Sequence, residues 1–250
     1  MGEALAIDVE WRRGAAKDLS QRSGGAMIKK VTPRLGLVFT CMALACGTLR
    51  AQAPQIALSP RSQVIQPANG PDPGLIKIHS NLGSKKDAYD DGISWDITGP
   101  GNLHWGVGYL AMPFTPKVDS VAMEVLIALG YIGGGSNSGT IAIFTDAAGV
   151  PGKALQTWVG YNFPPAGDCC QLVAFKNAHG IPLQGGTQYW IVAETGSANT
   201  AWGSQQAQYQ WDFAWNDLQG KVAFLNGNTN GGWLAFKDNL AAFAVYGTIQ

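Results

Sequence analysis

Charge is scarce in this sequence. Only 14% of its 250 residues are Asp, Glu, Lys or Arg, and seventeen bases balance seventeen acids. Beyond residue 53 nine bases face thirteen acids, so the body of the chain is mildly acidic with scattered lysines. That pattern lacks the basic patch or stripe by which nucleic-acid binders neutralise phosphates, and no nucleic-acid partner is expected. Glutamate is nearly absent: only Glu124 and Glu194 lie beyond residue 53. The three histidines, His79, His104 and His179, stand isolated and read as surface or turn residues. There is no P-loop and no dinucleotide fingerprint. The nearest approach to a nucleophile elbow, Gly135-Ser136-Asn137-Ser138-Gly139, has Asn at its centre. Long amphipathic helical runs are missing too, which excludes the crossover helices of a parallel sheet.

The first fifty residues read as an address. Met27-Ile28-Lys29-Lys30 and Arg34 form a basic start, followed by an apolar stretch from Leu35 to Ala45 and small residues ending in Ala51-Gln52-Ala53. This is the build of a secretory signal, spanning 27–53 and removed from the mature chain. The apolar run is too short for a permanent membrane span, so no transmembrane span is expected in the mature protein. Residues 1–26 are polar, of mixed charge, and lie upstream of the basic start; Met27 is the expected initiator and 1–26 an upstream extension. Cleavage after Ala53 competes with cleavage after Ala51, because Pro54 follows the first site. Ala43-Leu44-Ala45-Cys46 loosely resembles a lipobox, which makes lipid anchoring through Cys46 the less favoured alternative to free export.

Residues 54–74 carry Pro54, Pro60, Pro67, Pro71 and Pro73 and read as a linker. From 75 to 250 short apolar segments alternate with Gly-rich turns, which predicts one all-β domain, an antiparallel β-sandwich of jelly-roll type with about nine to eleven strands. Strands are expected at 75–79, 93–97, 105–114, 118–129, 140–145, 155–159, 171–175, 188–194, 222–225 and 241–249. In 118–129, alternation places Val121, Met123, Val125, Ile127 and Leu129 on one face, with Glu124 and Leu126 opposite. Trp95 and Trp190 fall on alternating strands and are expected in the core.

Four stretches carry a resemblance. They are Gly108-Tyr109-Leu110-Ala111-Met112-Pro113-Phe114-Thr115-Pro116; Ile141-Ala142-Ile143-Phe144-Thr145-Asp146 with Gly149-Val150-Pro151-Gly152-Lys153-Ala154-Leu155; the run from Ile181 through Gln184-Gly185-Gly186 to Val192; and Ala242-Phe243-Ala244-Val245-Tyr246-Gly247. Together they resemble bacterial secreted β-sandwich modules of the choice-of-anchor type. The resemblance implies a jelly-roll-like sandwich and no reaction, since that group has no catalytic residues to carry over. Val150-Pro151-Gly152 has the composition of a tight turn, and so has Gln184-Gly185-Gly186. The chain ends at Gln250 within a strand and without a sorting tail, so free secretion is expected rather than covalent anchoring.

Four groups of residues are candidates for chemistry. Asp87, Asp90 and Asp91, in an acid-rich turn closed by Gly92, offer oxygen ligands suited to Ca²⁺; the alternative is a solvated turn whose carboxylates cap backbone N–H groups. No other cofactor is expected. Cys169 and Cys170 are adjacent: they are either two thiols at a loop–strand junction, a vicinal disulfide or one half of an intermolecular bridge. Trp202, Tyr209, Trp211, Trp215 and Trp233 lie in an Asn/Gln/Gly-rich region that reads as loops, where exposed rings beside amides suit sugar stacking; as core-closing residues they would bind nothing. A glycosidase would need two facing carboxylates, drawn from Glu124, Glu194 and Asp96. The expected protein is therefore a non-enzymatic binding or interaction module, secreted, periplasmic or extracellular, with a glycan or other cell-surface component as partner. A structural surface or matrix protein and a hydrolase on a jelly-roll scaffold are the alternatives.

Overall fold

The computed structural model describes residues 61–65, 67–98, 108–167, 169–195, 208–225 and 232–250. The expected leader, the extension before it, Cys46, His104 and Trp202 lie outside the described residues. Among those described there is no helix, and the chain is an antiparallel β-sandwich. No helix of the described residues is long and apolar enough to cross a membrane.

The seven-stranded sheet runs in the order β1 (Arg61–Val64), β9 (Pro151–Tyr161), β8 (Ser138–Asp146), β11 (Tyr189–Thr195), β5 (Tyr109–Phe114), β13 (Gln219–Leu225) and β14 (Leu234–Asn239). The five-stranded sheet runs β2 (Pro67–Ala68), β10 (Leu172–Leu183), β6 (Ser120–Ile127), β15 (Phe243–Ile249) and β3 (Ile76–Ser80). A third sheet, β4 (Tyr89–Ile97), β12 (Gln208–Ala214) and β7 (Leu129–Gly133), packs its Ile97, Leu129, Tyr209 and Trp211 into the same core. Successive strands hop between sheets, as in a jelly roll: β5 is in the first sheet, β6 in the second, β7 in the third, and β8 is back in the first. One pair, β1 with β9, is parallel. Two strands, β1 and β2, are drawn from the stretch expected to be linker.

Side-chain alternation builds the core. On β11, Tyr189, Ile191 and Ala193 point to the main core, while Trp190 and Val192 enter a smaller cluster on the other face with Ala111 and Ala223. Met112, Phe114, Ile141 and Ile143 of the larger sheet share the main core with Val125, Ile127, Phe175, Phe243 and Val245 of the five-stranded one. The richness in Trp has a structural use here. Trp158 donates its indole N–H to Lys176 O at 2.9 Å, Trp211 to Ala242 O at 2.9 Å and Trp95 to Asn239 O at 2.9 Å. Each ring thus buries a large apolar area and ties one strand to the backbone of a distant one.

Strand β6 departs from strict alternation. Ala122, Val125 and Ile127 all belong to the core cluster, which two-residue periodicity forbids without an extra residue. That residue is Met123. Both neighbouring strands pair with Glu124 and then with Ala122, skipping it. The bulge turns Val121 and Met123 away from the core face where the sequence pattern puts them. Gly247 on β15 lies against the backbone of Val121 here, closely enough that a Cβ would collide with it.

The two Gly-rich turns resolve differently. At 147–150 the left-handed residues are Ala148 (φ 56°) and Gly149 (φ 90°), with Ala147 N–H donating to Val150 O at 2.8 Å. The turn thus precedes the expected Val150-Pro151-Gly152, which opens β9 instead. Gly152 is needed for space, since a Cβ there would stand 2.8 Å from Thr145 Oγ1. At 184–187 the expected turn forms: Gly186 has φ 73° and Thr187 N–H donates to Gln184 O.

Candidate functional site

The expected aromatic platform does not assemble. Tyr209 and Trp211 are fully buried, at 0% exposure, on β12, a strand in the region read as loops. Their rings pack against Phe163 and Phe243 in T-shaped contacts at 5.0 and 6.4 Å, so neither presents a face to a ligand. Trp233 is half-buried, edge-on to Tyr109 at 6.2 Å. Of the four described rings only Trp215 is exposed, at 41%, beside a turn in which Asn216 and Asp217 both have positive φ.

The acid-rich turn does not converge either. Asp90 and Asp91 sit inside strand β4 at an irregularity, where Phe213 pairs with Asp90 and Asp212 with Ser94. Asp90 Oδ1 accepts the Gly92 N–H at 3.0 Å, and Asp87 Oδ2 accepts the Ser84 hydroxyl at 3.1 Å. Among the described residues no three acids, histidines or cysteines gather as a metal would require. Asp90 thus caps a backbone N–H as the alternative reading has it, while Asp87 holds a side-chain hydroxyl instead.

Cys169 and Cys170 are joined to each other in the loop before β10, with the Cys170 sulfur 3.4 Å from Lys86 O. His79 is half-buried and stacks on Phe243 at 5.2 Å; burial lowers its pKa to about 4, so the ring is neutral near pH 7. His179 is exposed.

The two glutamates lie on different sheets and point away from the shared core. Glu194 follows Ala193 on β11 and therefore leaves the opposite face. There it accepts the hydroxyls of Tyr109 and Thr140; burial raises its pKa, those two bonds opposing. The Tyr109 hydroxyl is pushed up to about 12 by burial and by the Glu194 charge. Glu124 precedes the core residue Val125 on β6 and faces outward from the five-stranded sheet. The packed core separates the two, so they do not form the facing pair a glycosidase uses. Asp96 stands on the third sheet, opposite Gln210.

What the fold does assemble is a groove of about 420 Å³ on the outer face of the five-stranded sheet. Register places Lys176 of β10 and Tyr246 of β15 on either side of Glu124, forming one row across three strands. The segment after β2 crosses this row. Its Asp72 N–H donates to Glu124 Oε2 at 2.8 Å, and its carboxylate pairs with the Lys176 ammonium. Glu124 is only 2% exposed. Burial raises its pKa; the Asp72 charge adds to this, and the Asp72 N–H and Lys176 oppose it. Its Oε1 is enclosed and accepts no hydrogen bond, the Lys176 ammonium being 3.9 Å away. Gln63 and Asn69 supply amides to the same walls. The Trp158 indole, bonded to Lys176 O, fixes the backbone from which that lysine projects.

Sequence reading names Glu124 but misses Asp72 and Lys176, its partners in the groove. Asp72 sits in Pro71-Asp72-Pro73-Gly74, which reads as a turn, and Lys176 is 104 residues further on. Strand register brings Lys176 beside Glu124, and the segment after β2 brings Asp72 across it. Comparison of the chain with protein-family models, with curated proteins and with solved structures gives no match.

Proposed function

We propose that this chain is an exported, non-catalytic binding module that holds a carbohydrate in the groove around Glu124. The observation that carries the reading is the groove itself. It has the volume of a small-ligand site and walls of two carboxylates, an ammonium and two amides, a set that matches the donors and acceptors of sugar hydroxyls. The leader expected at 27–53 and the resemblance to secreted sandwich modules point the same way, towards a partner outside the cell. Binding of the purified protein to a glycan array and to insoluble polysaccharides tests it, with Lys176→Met as the comparison. Retention of at least one glycan, weakened about 10-fold or more by the substitution, is the expected result. Uniform absence of binding removes the reading.

One observation favours a second reading. Asp72 and Glu124 share the groove, as two carboxylates do in a hydrolase, and a carboxyl with a raised pKa suits a general acid. Against this, Asp72 is ion-paired to Lys176 and Glu124 accepts a backbone N–H, so both are engaged within the fold. Release of reducing ends from a bound polysaccharide, abolished by Asp72→Asn, would establish the hydrolase; binding without turnover would dismiss it.

A further inference from the structure

We infer that a second groove, adjoining the first, holds an acidic ring of the same glycan, whose carboxylate or sulfate group is bound by the ammonium groups of Lys77 and Lys85. The inference rests on the carbohydrate reading for the scaffold of the ligand and on separate observations for the charge. This groove, of about 340 Å³, lies on the same outer face of the five-stranded sheet. Register extends the row described above: Tyr246 of β15 stands beside Glu124, and Lys77 of β3 beside Tyr246. Ala68, Asn69 and Gly70 line both grooves, which makes the two adjacent subsites for one chain of sugar rings.

Charge sets the class of ligand. Among the described residues that line this groove, Lys77 and Lys85 are charged and none is an acid. Both lysines are exposed, and among the described residues neither forms an ion pair. The acids nearest in sequence are engaged elsewhere: Asp72 pairs with Lys176, and Asp87 accepts the Ser84 hydroxyl. An ammonium bonds an anionic oxygen about twice as strongly as a neutral one. The turn that carries Lys85 is formed in advance. Asp87 N–H donates to Ser84 O at 3.1 Å, Gly83 N–H donates to Ala88 O at 3.0 Å, and the Cys170 sulfur rests 3.4 Å from Lys86 O. Binding therefore orders the lysine side chains but not the backbone beneath Lys85. The uncharged lining suits a ring. Leu82, Cys170 and Tyr246 are half-buried on the apolar cluster of this face and offer CH and aromatic surface to one side of a sugar. Ser80 Oγ accepts the Leu82 N–H at 3.1 Å, which leaves its own hydrogen to donate to the ligand.

The test uses the full chain and three sets of oligosaccharides matched in length: galacturonate oligomers, sulfated galactose oligomers and neutral galactose oligomers. Titration calorimetry is done at low ionic strength, where surface charges are least screened. At least one acidic series should bind about 10-fold or more tightly than the neutral one, and the acidic series that binds identifies the anion. Lys77→Gln combined with Lys85→Gln should erase the difference. Both lysines are exposed, so the double variant keeps the fold. Lys153→Gln combined with Lys237→Gln removes the same charge from exposed positions on the seven-stranded sheet and should leave the preference intact. Equal or tighter binding of the neutral series overturns the acidic ring and leaves the carbohydrate reading standing. A preference for acidic oligomers that survives the first double variant, or that falls as far in the second, overturns the site. Binding to none of the three overturns the inference, and the glycan array then decides whether the wider reading falls with it.

Discussion

The indole N–H of Trp190 and the carboxylate of Asp146 meet at 2.8 Å, closing a contact between residues 44 apart in the sequence. The same oxygen accepts the Gln188 amide at 2.6 Å, and the other accepts the Gly149 N–H at 2.9 Å. Burial alone would raise this carboxyl's pKa. The bonds from Gly149, Trp190 and Gln188, with the charge of Lys221, outweigh it and hold the group below its ordinary value. The stretches 141–155 and 181–192 are thus fastened to each other, and their polar residues act on stability. Asp146→Ala leaves the buried Trp190 N–H without an acceptor and should destabilise the fold by about 2–4 kcal/mol, read as a lowered urea midpoint at constant slope. Because the folded-state pKa is depressed, the stabilisation is present above about pH 4 and disappears as pH falls through the folded value. A variant as stable as wild type at neutral pH would refute the role.

Trp211→Ala and Trp215→Ala should separate sharply. The first empties a fully buried site and removes the bond to Ala242 O, for an expected loss of about 3–5 kcal/mol. The second removes an exposed ring and should cost less than about 1 kcal/mol. Thermal unfolding of both variants decides it; comparable losses would place Trp215 in a packed environment.

His79 and Asp212 should give stability opposite slopes against pH. His79 has a folded-state pKa lowered to about 4 by burial, so the unfolded chain takes up its proton first. Stability is full above about pH 6.5 and falls as pH drops towards 4, by on the order of 3 kcal/mol. His79→Phe, which preserves the stack on Phe243, should flatten that limb. Chemical denaturation repeated across this range is the measurement, and an unchanged slope in the variant would show that other groups dominate.

Asp212 behaves in the reverse sense. Burial raises its pKa to about 7, with the Gln210 bond opposing and the charges of Asp91 and Asp90 adding. For an acid whose folded pKa is raised, stability is full below about pH 4 and is lost as pH rises through 7. Asp212→Asn keeps an acceptor for Gln210, which donates at 2.6 Å, and removes the ionisation. The variant should therefore gain stability over wild type above neutrality and little below pH 4. A uniform loss at every pH would count against a buried carboxyl there.

The sequence shows the sandwich because alternation is strong where it matters: β8, β11 and β15 lie close to where period-two patterning puts them. Strand β12 was equally legible. Tyr209, Trp211 and Phe213 alternate with Gln210 and Asp212, but the Asn, Gln and Gly around them read as loop, and the rings as a sugar platform. The bulge at Met123 has no local signal, because the residues on both sides remain good strand formers. Strands β1 and β2 stay hidden for a different reason. They are short edge segments whose pairing is set by the strand beside them, and proline is tolerated at an edge. The groove is legible only in part: Glu124 stands out as a rare carboxylate, whereas Lys176 reaches it through strand register and Asp72 through the segment after β2, neither of which a single sequence encodes visibly.

Strand β1 matters beyond its four residues. It lies along β9, eleven residues long and otherwise the margin of the seven-stranded sheet, and Gln63 staples it to Ala174 of the opposite layer. A bare margin of that length invites another chain to add itself. The short parallel segment therefore works as a guard on self-association. Shortening the protein past Val64 should make its sedimentation depend on concentration while the fold stays intact.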